Sequence, residues 1–251
     1  MKLKIIENKG SNLSVEVNDV SKAFINSLRR IILEDVPTMA IEDVEFYKND
    51  SVLYDEVIAH RLGLVPLKTD LTSYVLPKDC SCGGVGCARC QVSLTLSKKG
   101  VDVKASDLQS QDPVIVPVFN DTLLTKLTNT QAIELISYAR LGTGSEHAKW
   151  APGFTFFKPK VDLDLSKVKD IKLLDAVCPK KVFKDGKIVD INKCDICGLC
   201  EEKLGVKITE NQRDYIFYLE SFGQLSTKTI FLQAMDIMID KTKNFRVVFN
   251  Q

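Results

Sequence analysis

Eight cysteines, gathered in two tight groups, are the residues of this chain best suited to chemistry. The later group is Cys194, Cys197 and Cys200, spaced C-x2-C-x2-C, with Cys178 ahead of it and Pro179 directly after that cysteine. In bacterial-type ferredoxins a C-x2-C-x2-C-x3-C-P run gives three ligands to one iron–sulfur cluster and sends its fourth cysteine to a second cluster. Here Leu204 stands at the fourth position, so the run stops at three and Cys178-Pro179 is the natural fourth ligand. Thiolates are soft, charge-donating ligands that suit iron. Cys178, Cys194, Cys197 and Cys200 therefore read as a [4Fe–4S] site, or a [3Fe–4S] site if one ligand is lost or poorly placed. Four thiolates also suit tetrahedral zinc, and disulfide pairing is the remaining alternative.

The earlier group is Cys80, Cys82, Cys87 and Cys90, spaced C-x-C-x4-C-x2-C. Three glycines, Gly83, Gly84 and Gly86, let the backbone wrap tightly between them. Four thiolates in so short a loop fit a closed structural zinc site with no position left for substrate. A disulfide pair or an empty loop are the other readings. No histidine or carboxylate lies inside the loop to work beside a metal, so the site is not expected to be catalytic.

The rest of the chain gives little sign of catalysis. It has two histidines. His60 would share a helix face with Glu56, four residues earlier, and an ordinary polar contact is the simpler reading. His147 follows the Gly142-Thr143-Gly144 loop and reads as structural. There is no phosphate-binding loop, no dinucleotide fingerprint after a strand and no nucleophile elbow. No catalytic residue is expected.

The elements that must carry these cysteines follow from periodicity. Leu13, Val15 and Val17 alternate with polar residues as in a half-buried strand. Val20, Phe24, Leu28 and Ile31 or Ile32 recur at helical spacing, and Ile25 and Leu33 widen the stripe. Asn18 or Ser21 can cap this helix, over 21–34, and Pro37 ends it. Near the other end, the run from Tyr215 to Leu219 predicts a strand covered on both faces, broken at Gly223. A helix over 226–241 follows, carrying Ile230, Phe231, Ala234, Met235, Ile237, Met238 and Ile239. A helix apolar on more than one side usually has two neighbours, either both within one fold or one of them in another subunit. Between these ends the chain is mostly strand-like with turns, including a run from Val114 to Phe119 interrupted by Pro117. Ile133, Leu135 and Tyr138 fit a strand, with a short helix left open. Asp185-Gly186, between Val182-Phe183-Lys184 and Lys187-Ile188-Val189, is a two-residue hairpin signal.

The expected fold class is α+β. The similar ends, residues 1–45 and 208–251, form one discontinuous domain. A mostly-β insert domain over 46–162 holds the 80–90 loop, and a ferredoxin-like iron–sulfur domain covers 163–207. The net charge is +1, from 34 basic and 33 acidic residues. That balance lacks the basic excess of a chain that grips nucleic acid unaided, so no direct DNA contact is expected. No segment has the apolar length of a membrane helix, and the first residues have no secretory apolar core. A cytoplasmic location is expected, where closely spaced thiols are metal ligands before they are disulfides.

Three blocks, in order, resemble the alpha/D family of cellular RNA polymerase subunits. The first runs from Phe24 through Arg29-Arg30 to Val36-Pro37 and Ala40-Ile41-Glu42. The second runs from Asn49 to Glu56 and on from Ala59 to Leu67. The third is Gly142-Thr143-Gly144-Ser145-Glu146-His147-Ala148-Lys149-Trp150. The ferredoxin-like insertion resembles the archaeal branch. The resemblance covers nearly the whole chain and implies a non-catalytic scaffold for transcription. In that family the discontinuous domain forms a heterodimer with a small partner, subunit L in archaea. Subunits N and P join, and the large catalytic subunits dock onto the assembly. The resemblance casts Phe24, Leu28, Arg29, Arg30, Ile32, Ile230, Ala234, Ile237 and Met238 as partner-binding. At least one of the paired arginines would meet a large subunit, since arginine is favoured in interface ion pairs. The chain ends soon after its last helix, so the separate DNA-binding domain of bacterial alpha is not expected. The competing readings are a ferredoxin-like electron-transfer protein and a zinc-dependent enzyme; both leave the three blocks unexplained.

Overall fold

The computed structural model describes residues 1–168 and 170–249. Lys169, Asn250 and Gln251, inside the ranges expected for the cluster and dimerisation domains, lie outside the described residues. The first half of the chain forms β1 (Lys2–Lys9), β2 (Asn12–Asn18), α1 (Lys22–Glu34), β3 (Thr38–Asn49), α2 (Asp55–Gly63), β4 (Gln91–Lys104) and β5 (Gln109–Ser110). Then come β6 (Leu123–Gly142), β7 (Gly153–Asp164), α3 (Leu174–Val177), β8 (Phe183–Lys184), β9 (Lys187–Ile188), α4 (Leu199–Leu204), β10 (Lys207–Ser221) and α5 (Thr227–Phe249). The fold is mixed, with sheets and helices interleaved along the chain. It divides into two compact units, Met1–Arg29 with Thr155–Leu219, and Arg30–Phe154 with Glu220–Gln251.

The first unit is built on a sheet of order β1-β2-β10-β7. Leu13, Val15 and Val17 of β2 are buried, as their alternation predicts. On β10 the consecutive residues Tyr215, Ile216 and Phe217 are all buried, the mark of a strand covered on both faces. Phe156 stacks on Tyr218 at 4.6 Å between ring centres, and Phe157 meets Tyr215 edge-on at 5.6 Å. Such pairs hold the two neighbouring strands in register. Ser21, rather than Asn18, caps α1: its hydroxyl accepts from the Phe24 N–H at 3.2 Å. Ile25, Leu28 and Ile32 form the fully buried stripe of that helix, worth roughly 1.5–3 kcal/mol each.

A small lobe within this unit holds the later cysteines. Asp185 and Gly186 both have positive φ, 50° and 70°, and join β8 to β9 in a two-residue turn. This is the hairpin their sequence predicts. The Asp175 carboxylate accepts from the N–H groups of both turn residues, at 2.6 and 3.3 Å. Leu174, Val182, Phe183, Cys200 and Val206 form the lobe's buried core, a small one for a segment that must hold its own shape.

The second unit is built on an antiparallel sheet of order β3-β6-β4-β5. The run containing Ile133, Leu135 and Tyr138 belongs to β6, a strand of 20 residues, and not to a helix. Ile133, Leu135, Ser137, Ala139 and Leu141 are buried in alternation, which is the period of a strand. Val114 to Phe119 is not a strand: Leu67 and Pro117 make an isolated bridge, and buried Ile115 anchors the loop. Proline cannot donate to a ladder; Pro113 precedes this segment and Pro117 interrupts it. α5 extends beyond the 226–241 range expected for it, to Phe249. No glycine or proline lies between 241 and 249 to stop it.

Candidate metal centres and partner surface

The earlier cysteine loop lies between a short helical turn, Pro77–Asp79, and β4. Gly83, Gly84 and Gly86 all have positive φ and let the loop fold back on itself. The result is a close set of four sulfurs. Sγ–Sγ distances are 3.5 Å for Cys80–Cys87, 3.5 Å for Cys80–Cys82, 3.6 Å for Cys82–Cys90 and 3.9 Å for Cys87–Cys90. All four ligand atoms lie within 4.8 Å of one another, so the set can hold a metal ion. The Gly86 N–H and the neighbouring Cys80 thiol draw Cys82 down to about 6. Burial pushes Cys90 up to about 11. All four cysteines are free thiols.

The later cysteines converge differently. Cys178 caps the end of α3, Cys194 follows the turn Ile191–Lys193, and Cys200 lies in the first turn of α4. All four, Cys197 included, line one small cavity with Leu163, Pro179, Val182, Phe183 and Ile208. Cys200 is buried, Cys178 and Cys194 half-buried, and Cys197 exposed. Burial pushes the Cys200 thiol up, and the negative charges of Cys194, Cys178 and Cys197 push it further. Lys180 and Asp195 line the same cavity, and four thiols around one small cavity are mutually repulsive when ionised, a repulsion that a bound cation or cluster relieves. Among the described residues, only the earlier loop brings three or more ligand atoms within 4.8 Å.

Among the described residues neither histidine belongs to a group of three or more possible metal ligands. The His147 Nδ1 accepts from the Lys149 N–H at 3.1 Å and caps a short helical turn. His60 and Glu56 are both exposed on α2.

The residues expected at a partner surface fall into two sets. Leu28, Ile32, Ile230 and Ala234 are fully buried inside the chain. Phe24, Arg29, Ile237 and Met238 are half-buried, and Arg30 is exposed. The Arg29 Nε donates to the Asn26 Oδ1 at 3.1 Å. Arg30 forks onto the Glu34 carboxylate through two contacts of 3.1 Å. On α5, exposed Leu232, Ile239, Phe245 and Val247 extend the apolar surface beyond the residues expected from sequence.

Sequence reasoning missed a charged network in the third resemblance block. Lys149 donates to the Ile41 carbonyl at 3.0 Å and to the Glu42 carboxylate, and lies 4.5 Å from the Trp150 ring centre. Arg140 meets the other Glu42 oxygen at 2.9 Å. The Trp150 Nε1 donates to the Arg140 carbonyl, and the Thr38 hydroxyl donates to the Trp150 carbonyl. The network ties the loop after β6 to β3. Its only sequence signal is that Glu42, Lys149 and Trp150 fall in the matching blocks.

A family model described as the RNA polymerase Rpb3/RpoA insert domain matches residues 41–153, the segment that holds most of β3, all of β4 to β6 and the earlier cysteine loop. That insert marks an alpha-like polymerase subunit. Over its full length the chain is similar to proteins named DNA-directed RNA polymerase subunit Rpo3. It is 38% identical to that of Methanosphaera stadtmanae, covering 97% of each chain. It is 35% identical to that of Methanosarcina acetivorans, over 100% of this chain and 99% of the relative. Identity to that of Methanothermobacter thermautotrophicus is 36%, over 97% of each. The chain belongs to this Rpo3 family of alpha-like DNA-directed RNA polymerase subunits.

Proposed function

We propose that this chain, a non-catalytic assembly subunit of DNA-directed RNA polymerase, is a metal-bearing scaffold with three working parts. Residues 1–45 and 208–251 are the dimerisation domain and pair with the small subunit L. Residues 46–162 are the insert domain, and 163–207 a ferredoxin-like iron–sulfur domain. Subunits N and P and the large catalytic subunits dock on the heterodimer. Full-length similarity to polymerase subunits carries this reading. The electron-transfer alternative is disfavoured because it leaves that similarity unexplained. Among the described residues no helix is long and apolar enough to cross a membrane, in keeping with work in the cytoplasm. The near-neutral charge fits a subunit that reaches DNA through its partners.

Within the partner surface, the buried members Leu28, Ile32, Ile230 and Ala234 fix α1 and α5 to the body of the chain. Phe24, Arg29, Arg30, Ile237 and Met238 meet the partners, joined by the exposed apolar residues of α5.

Zinc is the proposed occupant of Cys80, Cys82, Cys87 and Cys90. Zn–S bonds of about 2.3 Å in a tetrahedron give S–S edges of about 3.8 Å. The observed 3.5–3.9 Å supports that ion, while a disulfide needs about 2.05 Å. A [4Fe–4S] cluster is the proposed occupant of Cys178, Cys194, Cys197 and Cys200, with the exposed Cys197 the ligand whose loss would leave [3Fe–4S]. Its role is structural: it cross-links a lobe whose own core is too small to hold it.

The test is to purify the tagged chain anaerobically from its native cells, identify what accompanies it by mass spectrometry, and measure iron and zinc in the same sample. The expected result is a small alpha-like partner, the large polymerase subunits and both metals. A preparation of this chain alone, or with a reductase, would overturn the scaffold reading.

A further inference from the structure

Lys158 lies on β7, outside the lobe that holds the later cysteines. Its ammonium nevertheless reaches that lobe, donating to the main-chain carbonyls of Asn192 and, at 2.8 Å, of Cys194. Cys194 opens the C-x2-C-x2-C run. The same ammonium lies 5.5 Å from the centre of the Tyr218 ring, which stacks on Phe156. The cation is thus held between an aromatic face of the sheet and the backbone of the cysteine loop. Lys158 is half-buried, and among the described residues no carboxylate stands within ion-pair distance of it. Burial outweighs the attraction of Asp195 and Asp190, which act from beyond that distance, and the net shift of its pKa is downward, so the charge is incompletely compensated.

A cluster on four thiolates supplies what is missing. The ligand charges would outweigh that of the iron–sulfur core, so a cluster bound by Cys194 and the other three thiolates would be an anion held by the same loop that Lys158 holds. We propose that Lys158 is a positioning residue for the cluster, fixing the Cys194 loop to the sheet and furnishing the counter-charge that sets the cluster's retention and reduction potential. This rests on the iron–sulfur reading of the later cysteines. Reduction adds negative charge, so a nearby cation favours the reduced form and raises the midpoint potential.

The test uses the full-length chain, purified anaerobically, with Lys158 replaced by Met, Gln or Arg. Iron release to a chelator and the midpoint potential, from a dye-mediated titration, are the two readouts. Circular dichroism confirms that each variant is folded. In Lys158→Met, iron release should quicken about tenfold, the scale set by loss of hydrogen bonds from a charged donor, and the potential should fall. Lys158→Gln keeps a donor without the charge: it should hold iron longer than the Met variant while its potential stays low. Lys158→Arg keeps both and should return both readouts toward the wild type. A wild-type chain that binds no iron would overturn the cluster reading and the proposal together. A wild-type chain that binds iron, with a Lys158→Met variant that matches it in release and in potential, would overturn the proposal alone.

Discussion

Replacing Glu42 with glutamine tests whether the charged network after β6 holds the insert together. Glu42 is 27% exposed and Lys149 12%, while Arg140 is 35% exposed. The substitution removes one charged acceptor from each cation and leaves the more buried Lys149 facing a neutral amide and the Ile41 carbonyl. Hydrogen bonds to charged groups contribute about 1.5–3 kcal/mol each when well shielded, and the Arg140 contact is discounted for its exposure. The expected loss is about 2–3 kcal/mol in total, which in a unit of this size lowers the Tm by roughly 5–10 °C. Burial alone would push the Glu42 carboxyl up, but Lys149 and Arg140 outweigh it and the net shift is downward. A carboxyl depressed on folding stabilises the fold above its unfolded value of about 4.3. That contribution fades as pH falls through the lower folded value. The gap between wild type and variant should therefore be widest above about pH 5 and close in stronger acid. Trp150 is the chain's one tryptophan, and it lies in the network, so urea unfolding followed by its fluorescence reports the site directly. Lys149→Met in the Glu42→Gln background should cost less than the sum of the two single changes. If the two losses add within about 0.5 kcal/mol, or if the gap does not change with pH, the coupling drawn from the geometry is refuted.

Two further outcomes are expected. Cys82→Ser should lower the zinc content from about one ion per chain and quicken hydrogen exchange in residues 77–91, while β4 and β6 stay protected by their own core; a zinc content equal to wild type, or deprotection spread through the sheet, would refute this. Leu232→Glu and Phe245→Glu lie at positions 52% and 66% exposed, so the unfolding free energy from urea titration should change by no more than about 0.5 kcal/mol, yet the small partner should be lost on affinity purification. Retention of that partner would move the dimer surface away from α5.

What the sequence made legible was what short-range signals control. Ser21 at the start of α1, the alternation along β2 and the Asp185-Gly186 turn each act within a few residues of themselves. The C-x-C-x4-C-x2-C spacing likewise confines four thiols to one small loop, whatever surrounds it. The end of α5 was less legible, because Lys241-Thr242-Lys243-Asn244 looks like a solvated terminus while containing nothing that breaks a helix. The Val114–Phe119 run has the apolar content of a strand, but Pro113 before it and Pro117 within it cannot supply the ladder's donors. Lys158 could not be singled out at all, and Glu42 only as a member of a resembling block. Lys158 finds its acceptors 34 and 36 residues away, and Glu42 finds Lys149 at a separation of 107. At such distances a charged residue in a sequence resembles any other surface charge until the chain is folded.

The order β1-β2-β10-β7 also bears on how the chain leaves the ribosome. β2 is complete at Asn18, but the strand that lies beside it, β10, begins at Lys207. At translation rates of about 5–20 residues per second, that interval lasts roughly 10–40 s. Throughout it the nascent β1–β2 hairpin presents a free edge, with Leu13, Val15 and Val17 still uncovered. Free edges recruit other strands, so holding that edge solitary until β10 emerges is a task for whatever chaperone meets the growing chain.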